Sequence, residues 1–193
     1  LSATKIDIKE NSTFNATSSS SISSDGEFKI IKSNFTLDSS TISAIGKIDI
    51  DNSTISASNN SEITTGNQLI INNSDVDIDN SDVTADDKIE IKNSQFDAIN
   101  NSEITTLNNL EIKDGSNFNA DNSTVSVGGT VTTDANSSLT ETYDINGTVK
   151  IGSLASGTGQ GVFDGTQVYI SLLDSTNTIV ATTAVNSDGS YLF

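Results

Sequence analysis

The chain contains no cysteine, proline, methionine, tryptophan or histidine, and its nine basic residues are all lysine. Without cysteine there is no disulfide, no thiolate metal site and no thiol nucleophile. Redox compartment stays open on that evidence. The scarcity of positive charge is sharper, because 26 acidic residues give a net charge of -17. A nucleic-acid binder needs a basic patch to neutralise phosphates, so that class is excluded. An anionic membrane surface repels the chain for the same reason. No apolar run is long enough to span a bilayer, and no signal peptide or sorting tail is visible. Leu at position 1 points to a processed chain or a fragment.

Ser, Thr, Asn and Asp fill much of what remains. Such a composition on its own suits disorder. Periodicity overrides it. Three series of apolar residues run through the first 140 positions. The first is Ile6, Phe28, Ile48, Leu69, Ile89, Leu110, Val131. The second is Phe14, Phe35, Ile55, Val76, Phe96, Phe118, Leu139. The third is Ile22, Ile42, Ile63, Val83, Ile104, Val125. Successive members lie 20 to 22 residues apart, which is a solenoid period.

Within each short segment apolar and polar residues alternate, as in Ile48–Ile50 and Phe96–Ala98. That is a strand with one buried face. Between the segments stand Asn-Ser pairs at Asn52, Asn60, Asn73, Asn80, Asn93, Asn101 and Asn122. Asn accepts the left-handed backbone that a tight corner needs. Stacked Asn side chains can also form hydrogen-bond ladders. The expected fold is all-β. Residues 1–142 form a parallel β-helix with three faces, six to seven coils and 20 to 22 residues per coil. Right-handed winding is the commoner form. The core holds Ile, Val, Leu and Phe, with Ala, Ser or Thr at the second inward position of each strand.

Residues 143–193 read differently. Glycine becomes frequent and the long period stops. Four alternating segments, around 145–149, 165–173, 178–183 and 188–193, predict a partial antiparallel Ig-like sandwich.

The line Asn146-Gly-Thr-Val149, then Gly165-Thr-Gln-Val-Tyr-Ile-Ser-Leu172, Thr182-Thr183 and Asp188-Gly-Ser-Tyr-Leu-Phe193, resembles carboxypeptidase-regulatory-like and collagen-adhesin B-type modules. The resemblance implies a spacer unit of a surface protein. It also implies further strands beyond Phe193, or a strand supplied by another molecule. In some such modules a Lys–Asn isopeptide bond forms, and Lys150 stands where such a lysine would sit. The first 140 residues resemble the β-solenoid shafts of secreted adhesins, filamentous-haemagglutinin-type and archaeal adhesin-like ones included.

Candidate sites are few. Asp75, Asp77, Asp79 and Asp82, with Asp86 and Asp87 beyond, make the best candidate for calcium, whose ligands are clustered oxygens. The bland alternative is a solvated acidic face. No catalytic residue is expected. Acids recur in nearly every coil without marking one site, so a polysaccharide-active enzyme ranks last. Eight lysines, at 5, 9, 29, 32, 47, 88, 92 and 113, fall on or beside the first strand of a coil, interleaved with Asp7, Asp49, Glu90 and Glu111. They make either cross-strand pairs or a face that docks on an acidic face of another subunit. Asn-x-Ser/Thr sequons stand at Asn11, Asn15, Asn34, Asn52, Asn59, Asn72, Asn100, Asn122, Asn136 and Asn146. They are glycan acceptors, or a by-product of Asn-Ser corner chemistry. Residues 1–4 are too few to cap a coil edge, so missing residues or another molecule would cover it. The expectation is an extracellular structural protein: a shaft or filament subunit that self-associates through coil edges or strand complementation. The alternatives are a module binding cell-surface glycans and, last, an enzyme.

Overall fold

A computed structural model of the chain describes residues 1–142, 146–148, 169–173, 178–186 and 190–192. These residues are all-β and contain no helix. The chain divides into two units, Leu1–Tyr143 and Asp144–Phe193.

The first unit is a parallel β-solenoid of about seven coils built from three seven-stranded sheets. Sheet A runs from Ser2–Ala3 to Thr124–Val127. Sheet B runs from Ile6–Lys9 to Val131–Thr133, and sheet C from Thr13–Ala16 to Ser138–Thr142. Each strand pairs with its equivalents one coil away. The three apolar series of the sequence are the inward columns of sheets B, C and A in turn. In sheet B the register is Ile6, Phe28, Ile48, Leu69, Ile89, Leu110, Val131, without a slip. Sheet A gains a strand beyond the expected series, because Ser2 and Ala3 pair with Ser23 and Ser24.

Alternation decides the facing. In Glu62–Thr65, Ile63 and Thr65 point inward while Glu62 and Thr64 face out. The core is one continuous column of residues from every coil. Phe14 stacks on Phe35 at 5.0 Å, and Phe96 on Phe118 at 4.7 Å. The expected small residue at the second inward position holds for much of sheets A and C. It fails in sheet B, where that position is Ile8, Ile30, Ile50, Ile71, Ile91 and Ile112. A narrow triangle has a fixed cross-section. Two large side chains from one sheet therefore require smaller ones opposite. Each fully buried Ile or Phe contributes about 1.5–3 kcal/mol relative to exposure, so this column dominates stability.

All seven expected Asn corners have positive φ, from 45° at Asn80 to 64° at Asn101. Two Asn–Asn rungs form, Asn80 to Asn60 at 3.1 Å and Asn93 to Asn73 at 2.8 Å. Other corner amides reach aspartates instead, such as Asn59 to Asp38 and Asn100 to Asp79. The serine that follows the corner Asn does more. At the corner from sheet B to C, the N–H of Ser33 donates to Oγ of Ser53. The chain continues through Ser74, Ser94, Ser116 and Ser137 at 3.0–3.1 Å. A second ladder, at the corner from C to A, links Ser20, Ser40, Ser61, Ser81, Ser102 and Ser123 at 3.0–3.2 Å. Each of these hydroxyls except that of Ser137, which bonds the Asp134 side chain, also donates to a carbonyl of its own corner, as Ser74 does to Asn72 at 2.6 Å. A buried corner N–H must find an acceptor. Serine supplies it from the next coil.

The second unit contains two antiparallel pairs among its described residues. Asn146–Thr148 pairs with Ser190–Leu192, and Tyr169–Leu173 with Ile179–Ala184. Each of the four expected segments thus contains a described strand. Lys150 lies outside the described residues.

Candidate functional site

Since the inward positions are spent on packing, any functional surface is an outer face, and the three faces differ in chemistry. Sheet B carries nearly all the positive charge. Lys5, Lys9, Lys29 and Lys47 interlock with Asp7, Glu27 and Asp49 across the first three coils. Lys88, Lys92 and Lys113 interlock with Glu90 and Glu111 further along. Between the two networks lies a coil with Gln68, Ile70 and Asn72 at the corresponding places. Seven of the eight lysines noted in the sequence therefore form ion pairs, but only Lys5, Lys29, Lys88 and Lys113 reach an acid of a neighbouring coil. Lys9, Lys47 and Lys92 pair within their own coil, and Lys32 stands outside both networks.

The centre of the second network is Glu90, whose side chain is only 9% exposed. Burial pushes its carboxyl up, but hydrogen bonds from Lys88 and Lys92 outweigh that and hold it at about 2. Lys88 Nζ donates to Glu90 at 2.8 Å, and Lys92 closes on the other oxygen. The lysines are 24–50% exposed and their partner acids 9–39%. The lysine side chains are thus mostly more exposed than the acids they pair with, Lys29 beside Glu27 being the exception.

Sheet C presents acids and no lysine on its outward positions. Asp75 and Asp77 share one strand, and Asp77 stacks in register on Asp97 of the next coil. Desolvation, then the charges of Asp97 and Asp75, raise the Asp77 carboxyl above its usual range. Of the four proposed calcium ligands, Asp75, Asp77 and Asp79 belong to sheet C, while Asp82 begins a strand of sheet A. The corner between them turns Asp82 onto a different face. Asp79 already accepts a hydrogen bond from Asn100 at 2.7 Å. Among the described residues, no three or more acidic side chains converge on a point where they could hold a metal ion. Asp87 is held below its usual range by hydrogen bonds from Gln68 and Asn108.

On sheet A an outward column reads Ser2, Ser23, Ser43, Thr64, Thr84, Thr105, Ser126 in unbroken register. Beside it stand Glu62, Asp82 and Glu103, also in register. Thr64 and Thr105 donate to Glu62 and Glu103. An open groove of about 550 Å³ runs along the corner of sheet B past Asp51, Asn72, Asn73, Lys92 and Asn93.

Eight sequon asparagines are exposed: Asn11, Asn15, Asn34, Asn52, Asn59, Asn100, Asn122 and Asn136. Asn72 is half-buried, and Asn146 begins a strand of the second unit. Three of the exposed ones, Asn52, Asn59 and Asn100, already donate to Asp51, Asp38 and Asp79.

The serine ladders are the feature that sequence reasoning passed over. The signal was present, since Ser follows the corner Asn in coil after coil. The corner was assigned to Asn alone because only Asn has the backbone preference. No family model, no curated protein and no solved structure matches the chain. The described residues also contain no helix long and apolar enough to cross a membrane.

Proposed function

We propose that the chain is a structural extracellular protein, the shaft or repeating subunit of a cell-surface filament or adhesin. The observation that carries this reading is the unbroken register of three seven-stranded sheets. Such a stack resists bending and shear because every coil is bonded to the next along its whole perimeter. Inward positions hold the column together, and the corners are bonded by serine. The acidic surface and the exposed sequons fit a solvated, glycan-bearing shaft. Coils that continue from one subunit to the next are the joining mode this reading carries. No catalytic centre is required.

The test is immunogold electron microscopy of the native cells, with an antibody against the solenoid, followed by proteolytic shaving. Label on surface fibres or stalks, lost on shaving, is the expected result. Label confined to the cell interior would sink the proposal. A second reading, a module that binds cell-surface glycans, rests on the polar groove of sheet B. Its hydrogen-bonding groups recur once per coil, at about 4.8 Å, as a linear ligand would require. A glycan array probed with the full chain tests it, and an array without a hit ends it.

A further inference from the structure

We infer that sheet B of one copy docks laterally against sheet C of a second copy, which rests on the reading of the chain as a shaft or filament subunit. The argument starts from segregation of charge. Seven lysines lie on sheet B, where their side chains are at least as exposed as most of the acids they pair with. Sheet C carries Asp75, Asp77 and Asp97 as a compact outward patch with no lysine on any outward position. Within the patch, desolvation first and then the like charges of Asp97 and Asp75 raise the Asp77 carboxyl, so mutual repulsion is part of what the patch bears. Lysines brought against it from the mixed-charge face of sheet B relieve that repulsion.

Geometry suits the match. Both faces are parallel sheets with the same coil repeat of about 4.8 Å, so the stacked Asp77 and Asp97 of one copy can face lysines of adjacent coils, such as Lys92 and Lys113, on the other. Sheet B offers two separate lysine patches, Lys5/Lys9/Lys29/Lys47 and Lys88/Lys92/Lys113, divided by a neutral coil. The contact joins different faces, so it is heterologous. A pair of copies keeps one free donor face and one free acceptor face, so further copies can add, as a ring or as an open row.

A charge of -17 on every copy works against association. Range separates the two effects. At 0.01 M salt the screening length is about 30 Å, so whole-molecule repulsion dominates. At 0.15 M it is about 8 Å, and only the facing sheets sense each other. At 1 M it is about 3 Å, and the facing attraction is screened too. Association should therefore peak at intermediate salt. Apolar association would instead rise steadily with salt.

The experiment is sedimentation velocity of the full chain at pH 7 across those three salt concentrations. The expected result is a maximum in mean sedimentation coefficient near 0.15 M. The variant Asp75→Asn/Asp77→Asn/Asp97→Asn should weaken association about tenfold or more. It relieves repulsion in the monomer, so it keeps its fold. The variant Glu62→Gln/Asp82→Asn/Glu103→Gln removes the same number of charges from sheet A and should leave association intact or strengthen it. Lys29→Glu/Lys47→Glu/Lys88→Glu/Lys113→Glu, which reverses charge in both lysine patches, and Asp75→Lys/Asp77→Lys should each fail alone and associate when mixed, with far-ultraviolet circular dichroism confirming that both are folded. A monomer at every salt concentration overturns the inference, as does a steady rise with salt or equal loss in the sheet A and sheet C variants. Surface labelling of the cells tests the shaft reading separately. A labelled surface with a monomeric chain refutes lateral docking alone.

Discussion

Replacing Ser74 by alanine removes one hydroxyl from the middle of the buried ladder at the corner between sheets B and C. Ser74 is 4% exposed. Its Oγ accepts the N–H of Ser53 at 3.0 Å and donates to the carbonyl of Asn72 at 2.6 Å. That carbonyl keeps a second partner, the N–H of Asn52 at 3.1 Å. The N–H of Ser53 does not. Alanine leaves that donor buried without an acceptor, at a cost of about 1–3 kcal/mol. Ser33 is the matched control, similarly buried and at the end of the same ladder. Its Oγ donates to Ile31 at 2.9 Å, and no described N–H donates to it. Ser33→Ala should therefore cost about 1–2 kcal/mol less than Ser74→Ala. Urea unfolding of the two variants measures the difference. Amide exchange at Ser53 reads the cause directly, because loss of the acceptor should speed it about tenfold or more. Equal destabilisation by the two variants, with exchange at Ser53 unchanged, would refute the idea that corner serines act as acceptors for the preceding coil.

Other outcomes follow from the same geometry. Glu90 has its carboxyl lowered from 4.5 to about 2, so folding favours its charged form. Its contribution is complete above about pH 5 and is lost as pH falls through about 2, so Glu90→Gln should cost on the order of 2 kcal/mol at pH 7 and flatten the acid limb of the stability curve. An acid limb of unchanged slope in urea titrations would count against the Lys88–Glu90–Lys92 network. Asp77 has the opposite sign, since its raised carboxyl opposes folding when charged. Asp77→Asn should raise the thermal midpoint at pH 7, with the gain vanishing below about pH 4 as the aspartate protonates. Lys32 holds φ at 50°, in a corner position where Asn52, Asn73 and Asn93 hold 46–48°. Lys32→Asn should stabilise by about 0.5 kcal/mol in denaturant titration, because Asn tolerates that backbone better. Phe96→Ala removes a fully buried ring stacked on Phe118 and should cost about 3–5 kcal/mol, read by the same titration.

The sequence by itself determined the coil, because a solenoid pairs each segment with the one a fixed distance along the chain. The spacing of Ile48, Leu69 and Ile89 is already their register. Alternation named the inward residues, and the backbone preference of Asn named the corners. Side-chain partners were another matter, because they are chosen across coils and around corners. Asp79 and Asp82 are three residues apart, yet the turn at Asn80 puts them on different sheets. Asp77 and Asp97 are twenty apart and stacked. Only the tertiary structure could show that large apolar residues fill both inward columns of sheet B, since the cross-section is shared by three sheets. It also decided that serine, and not the asparagine before it, bonds the corners inside. The hydroxyl is short enough to turn back under the chain and meet the N–H of the coil before.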